Sequence, residues 1–191
     1  LTAANFAPSS ERCRLAFRPA ETPLAISVPT TGGTKAVTYY IDSVGGVNAN
    51  AGTSPDAAWR DFTNINGKTL GPGERLRIKR GSVINQELQG SARGTVDSWA
   101  EIGPYGRGAR PAIRRNWDIR DRCALIRDPD YLWIHGLRVT CAAKGLIVSY
   151  TKSGHAGLLI EDCIASHIEG LYLPDNHGIP EWRGQPGPEG D

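Results

Sequence analysis

Tyr131-Leu-Trp-Ile-His-Gly-Leu-Arg-Val139 and Gly157-Leu-Leu-Ile-Glu-Asp-Cys-Ile-Ala165 decide the fold, because they read as two copies of one unit 26 residues apart. Around them, Cys123-Ala-Leu-Ile126, Lys144-Gly-Leu-Ile147 and Glu169-Gly-Leu-Tyr172 share a second pattern, spaced by 21 and 25 residues. Each unit reads as two short strands separated by polar turns. A unit this small cannot bury its own apolar face, so successive copies must stack. Two strands per turn at irregular spacing suit a parallel β-solenoid, whereas leucine-rich repeats need a more regular Leu/Asn consensus. Short strands between turns also suit a β-sandwich, which stays open as the alternative.

Upstream of the repeats, Val-Thr-Tyr-Tyr-Ile-Asp at 37–42 is a strong strand signal, rich in β-branched and aromatic residues. A Gly/Asn loop follows. Ser54 then caps a short helix with Pro55 at its first position, running through Trp59 towards Ile65. In Arg75-Leu-Arg-Ile-Lys-Arg80, Leu76 and Ile78 alternate with basic residues, the pattern of a half-buried strand. Short strands are also expected at 83–88, 100–102 and 111–114. Residues 1–36, broken by four prolines, read as an N-terminal arm, 37–179 as the solenoid cap and first rungs, and 180–191 as a Pro/Gly-rich loop or cleavage region.

Composition narrows the class. The 191 residues suffice for one domain, and 23 Gly with 13 Pro argue for many turns and against a helical bundle. A net charge of +2 carries no nucleic-acid signature, and no apolar run reaches the roughly 20 residues of a membrane span. Residues 107–138 hold eight Arg against four Asp, while 153–191 hold seven acids against Arg183 alone. His155, His167 and His177 lie in that acidic end. Four cysteines without CxxC spacing predict two disulfides in a secreted protein, with buried free thiols as the alternative. Methionine is absent and residue 1 is Leu, so the chain is expected to be a processed product or a piece of something longer.

Tyr39-Tyr-Ile-Asp-Ser, Gly52-Thr-Ser-Pro-Asp-Ala-Ala-Trp59, Pro72-Gly-Glu-Arg-Leu-Arg-Ile-Lys-Arg-Gly81 and Glu101-Ile-Gly-Pro-Tyr-Gly-Arg-Gly108 resemble the capped opening of right-handed parallel β-helix proteins. These form the pectate-lyase-like superfold of polysaccharide lyases and glycoside hydrolases. Tyr131–Val139 resembles an early rung of it, and the likeness covers about 37–175. It implies an all-β, right-handed parallel β-helix with a short N-terminal capping helix over 58–65. It also implies that later rungs are missing at the C-terminal end or supplied by a second chain. A secreted or periplasmic carbohydrate-active enzyme is the implied function. One solenoid carries many chemistries, so the residues must choose among them.

Aligning Leu132 with Leu158 pairs His135 with Glu161 and Gly136 with Asp162. Ile134 and Ile160 then point inward, and His135 and Glu161 point outward side by side, about 4.8 Å apart. They are an acid/base or sugar-binding pair, or else a surface ion pair of little worth. Glycosidases need two carboxyls, and Glu161, Glu169 and Asp175 are the pool. His135, His177 and Trp182 are the expected sugar contacts. A lyase would need Lys or Arg as base and a cation, such as calcium, or Arg against a uronate. The near absence of basic residues in 153–191 favours a hydrolase, with the lyase and a non-catalytic glycan-binding β-helix as alternatives. No metal or cofactor is expected for a hydrolase, and the expected partner is a carbohydrate, with no nucleic acid or membrane.

Overall fold

The computed structural model describes residues 36–169. The strands are β1 (Thr38–Ile41), β2 (Thr69–Leu70), β3 (Arg75–Lys79), β4 (Val83–Ile84), β5 (Leu88–Ala92), β6 (Ala100–Tyr105) and β7 (Ala112–Arg114). They continue with β8 (Arg122–Arg127), β9 (Leu132–His135), β10 (Arg138–Ala142), β11 (Lys144–Ser149), β12 (Leu158–Glu161) and β13 (Ile164–Ile168). All ladders between these strands are parallel. They form three sheets, in the orders β1-β3-β6-β9-β12, β4-β7-β10-β13 and β2-β5-β8-β11. The described residues therefore form a parallel β-solenoid of about four turns. Each complete turn, such as β6-β7-β8 or β9-β10-β11, places one strand in each sheet.

Three strands per turn correct the expected two. Tyr131–Val139 reads as one strand, but the chain turns a corner at Gly136 (φ 65°) and sends β9 and β10 to different sheets. The same corner recurs 26 residues later at Asp162 (φ 49°). Cys141 (φ 57°) and His167 (φ 54°) form a second matched pair of left-handed corner residues, and Tyr131 (φ 45°) and Gly157 (φ 73°) a third. A non-glycine residue in this region costs of order 1–3 kcal/mol, and stacking of the turns holds it there.

Inward side chains build aliphatic columns along the axis. Leu76, Ile102, Ile134 and Ile160 stack in register through β3, β6, β9 and β12. Ile84, Ile113 and Val139 do the same on the second sheet. Most of these are almost fully buried, and each buried Ile or Leu contributes about 1.5–3 kcal/mol. The predicted register of Leu132 with Leu158 and of His135 with Glu161 is the observed one. The other repeat is shifted by one residue, because Lys144 pairs with Arg122, and Leu146 with Ala124.

The expected capping helix over 58–65 is instead two single 3-10 turns, Pro55–Ala57 and Phe62–Asn64. Ser54 does cap the first, accepting a hydrogen bond from the Ala57 amide, and Asp61 caps the second through Thr63. Asn side chains of the preceding loop answer backbone groups between the two turns, Asn50 donating to the Ala58 carbonyl and Asn48 accepting from the Arg60 amide, while Asn64 donates back to the Asn48 carbonyl. Phe62, Ile65 and Trp59 close the apolar interior at this end.

The two expected disulfides are not present among the described residues. Cys123, Cys141 and Cys163 are free thiols. Cys123 acts as a small core residue, its sulfur 3.4 Å from the Ile113 carbonyl oxygen and 3.6 Å from that of Thr140. Cys13, the arm at 1–35, and the 180–191 loop lie outside the described residues.

Candidate functional site

The outer face of the five-stranded sheet carries the densest polar constellation. Alternation along β3, β6 and β9 points Leu76, Ile102 and Ile134 inward and so turns Arg75, Arg77, Glu101, Trp133 and His135 outward. In register, Arg75, Glu101 and Trp133 form one row, and Arg77, Gly103, His135 and Glu161 the next.

Glu101 is the hub. It is only 2% exposed although it belongs to the outer face. Arg77 Nη2 lies 3.0 Å from both carboxylate oxygens, and Arg75 Nε lies 3.4 Å from Oε2. His135 Nε2 lies 2.6 Å from Oε1. Arg77 also donates to the Pro104 carbonyl at 3.1 Å. A buried carboxylate of this kind persists only when its charge and lone pairs are answered, as they are here.

His135 is seated by the lack of a side chain at Gly103. A Cβ built there would fall 2.2 Å from Nε2, so the ring occupies the space that any other residue would fill. Trp133 stacks on the other side, with ring centroids 4.0 Å apart and planes 19° from parallel. Glu101 and Gly103 of one turn and Trp133 of the next thus fix the imidazole, while 18% of its side chain stays exposed.

Of the predicted site residues, His135 and Glu161 are neighbours in register, as expected. His135, however, takes its carboxylate partner from the preceding turn rather than from Glu161. Glu161 is half-buried and bonds no described side chain. Glu169 follows β13, which belongs to a different sheet, so the two glutamates are not on one face. Asp175, His177 and Trp182 lie outside the described residues. Asp162 sits at its corner and accepts from Arg110 at 3.0 Å. Three arginines of the basic stretch are engaged in ion pairs, Arg110 with Asp162, Arg115 with Asp121 and Arg122 with Glu87.

Glu101 was absent from the candidate pool. Its signal lay in aligning Trp99-Ala-Glu-Ile102 with Tyr131-Leu-Trp-Ile134, which makes Ala100 and Ile102 the inward residues and Glu101 the outward one.

Two further polar groups lie nearby in the fold. At the first-turn end of the same sheet, Lys79 Nζ is 2.6 Å from Asp42 Oδ2, and burial together with the Asp42 charge pushes the Tyr105 hydroxyl up to about 12. At the corner between the third and first sheets, His155 lies between two carboxylates, Nδ1 3.0 Å from Asp130 and Nε2 3.5 Å from Asp128. Asp128 also accepts from the Thr151 amide at 2.5 Å and its hydroxyl at 2.8 Å, bonds that hold its carboxyl below the usual aspartate range. Among the described residues, no group of three or more His, Cys, Asp or Glu is placed to hold a metal ion, and no helix is long and apolar enough to cross a membrane.

The outer face offers a carboxylate, an imidazole with one nitrogen committed, and an aromatic ring in adjacent positions. Such a set can bind hydroxyls and apolar sugar faces and can transfer protons.

Comparison with known proteins gives a consistent direction. No protein-family model matches the chain. A lacto-N-biosidase of Bifidobacterium longum is 36% identical over a 138-residue alignment that takes in 58% of this chain and 8% of that protein. Crystal structures of a GH136 lacto-N-biosidase from Eubacterium ramulus superpose with a TM-score of 0.58 for the selenomethionine derivative and 0.52 for the native protein, at 22% identity. They match over 70% of this chain and 27% of theirs. That likeness is one of fold, and the chain spans a small part of the length of each of these proteins.

Proposed function

We propose that this chain is part of a glycoside hydrolase that cleaves oligosaccharides, of the lacto-N-biosidase type and within the pectate-lyase-like β-helix superfamily. The 36% identity to the Bifidobacterium longum lacto-N-biosidase carries this reading. The outer face of the five-stranded sheet supports it with a carboxylate, an imidazole and an indole at neighbouring register positions.

In this reading Glu161 is one of the two carboxyls that glycoside hydrolysis requires. Glu101 is a poor choice for the second, because two guanidiniums and an imidazole already occupy its oxygens. Glu169 follows a strand of another sheet, so the second carboxyl is proposed to be Asp175 or another residue beyond those described. His135 contacts sugar, with His177 and Trp182 as further contacts. The enzyme works outside the cytoplasm and needs no cofactor. A lyase is disfavoured by the commitment of Arg75 and Arg77 to Glu101, which takes both from the role of base or uronate partner.

The test is incubation of the purified protein with oligosaccharides ending in lacto-N-biose. The expected result is release of that disaccharide without the absorbance of an unsaturated uronate. Glu161→Gln is expected to reduce the rate by roughly 10²–10⁴-fold. Binding without any product would overturn the hydrolase reading, and an unchanged rate in Glu161→Gln would remove Glu161 from the site.

A further inference from the structure

We propose that His135 is a sugar-contacting residue that accepts a hydroxyl hydrogen bond at Nδ1, and that Glu101 is the positioning residue that fixes the tautomer this requires. The sugar contact rests on the glycosidase reading. The tautomer rests on the geometry alone.

A neutral imidazole carries one N–H and one lone pair, and the partner of one nitrogen decides the role of the other. His135 Nε2 faces Glu101 Oε1 at 2.6 Å. With Arg75 and Arg77 on its oxygens, the Glu101 carboxylate is an acceptor. Nε2 therefore carries the proton, and the lone pair of the neutral ring lies on Nδ1. No described residue bonds Nδ1. The ring is held in place, since Trp133 covers one face and its tip fills the space left open at Gly103.

A purely structural ion pair has no need of this arrangement. Arg77 alone contacts both oxygens of Glu101, so His135 adds little to charge balance. What Glu101 supplies is a fixed acceptor on the outer face, next in register to Glu161. A fixed acceptor beside a carboxylate suits adjacent sugar hydroxyls, each of which has a proton to donate. Pre-organisation of this kind lowers the ordering cost of binding.

Long-range 15N–1H correlation spectra of the His135 ring test the proposal, with lacto-N-biose as the added probe. The expected free-state spectrum is a single Nε2–H tautomer, and Glu101→Gln, whose amide can donate as well as accept, is expected to give a mixture. Adding the disaccharide is expected to shift Nδ1 more than Nε2. His135→Phe, which keeps the stack on Trp133, is expected to bind it about tenfold more weakly, the loss of one good hydrogen bond. An Nδ1–H tautomer in the wild type would overturn the positioning role. Sugar-induced shifts elsewhere with His135 unmoved would overturn the contact and leave the glycosidase reading intact. If no resonance moves and no product forms, that reading falls and the contact with it, while the tautomer stands or falls on the free spectrum.

Discussion

Glu101 Oε1 lies 2.6 Å from His135 Nε2, across the boundary between two turns of the solenoid. The residues are 34 apart in sequence, and only the stacking of β6 on β9 brings them together. The contact ties the polar outer face of the sheet to its register, since a one-residue slip would turn one of the two side chains into the core.

Replacing Glu101 by Leu is therefore expected to destabilise the fold by roughly 3 kcal/mol, because Arg75 and Arg77 would keep their charges and lose the carboxylate between them. Urea unfolding followed by tryptophan fluorescence measures this. A change below about 0.5 kcal/mol, the range of ordinary surface substitutions, would show that the cluster is not a stabilising unit.

Gly103→Ala is expected to displace the His135 ring, since the new methyl group would sit 2.2 Å from Nε2. The expected cost is about 1–3 kcal/mol of stability, as for other overpacked sites. Loss of the Nε2–H signal shared with Glu101 would accompany it. A double substitution with His135→Ala should recover part of that cost, and a fully additive result would contradict the steric cause.

The Thr151 amide and hydroxyl, aided by His155 and Arg93, hold the Asp128 carboxyl below the ordinary aspartate value of about 3.9. A depressed folded value means that the unfolded chain takes up the proton first. The stabilisation is thus complete above the unfolded value and is lost as pH falls through about 4 and below. Asp128→Asn is expected to flatten this acid limb of the stability curve while leaving other carboxylates to titrate. An acid limb as steep as that of the wild type would exclude Asp128 as a contributor.

Burial raises the Cys123 thiol to about 11, so it is almost fully protonated at pH 8. Native protein is expected to leave Cys123 unlabelled by iodoacetamide over times that label it fully in guanidinium. Site-resolved mass spectrometry reads both states. Rapid native labelling would mean that the core around β8 opens readily.

The two repeats show why part of the register was legible and part was not. Along β9 and β12, inward Leu132, Ile134, Leu158 and Ile160 are set off by His135 and Glu161, and this contrast fixes the pairing. Along β8, Cys123, Ala124, Leu125 and Ile126 are all buried. A strand buried on both faces has no alternation to read. The shared Leu-Ile of 125–126 and 146–147 then suggested a match one residue away from the true one.

From the sequence alone came the parallel solenoid, the 26-residue offset of its later rungs and the outward placement of His135 and Glu161, because aliphatic periodicity is a local property that stacking only repeats. The tertiary structure decided the third strand of each turn and the partner of His135. Corners at Tyr131 and Cys141 are left-handed at residues with little intrinsic preference for it, and neighbouring turns impose that geometry. Glu101 meets His135 for the same reason, since the meeting depends on how far each turn travels before it closes, and packing across turns sets that distance.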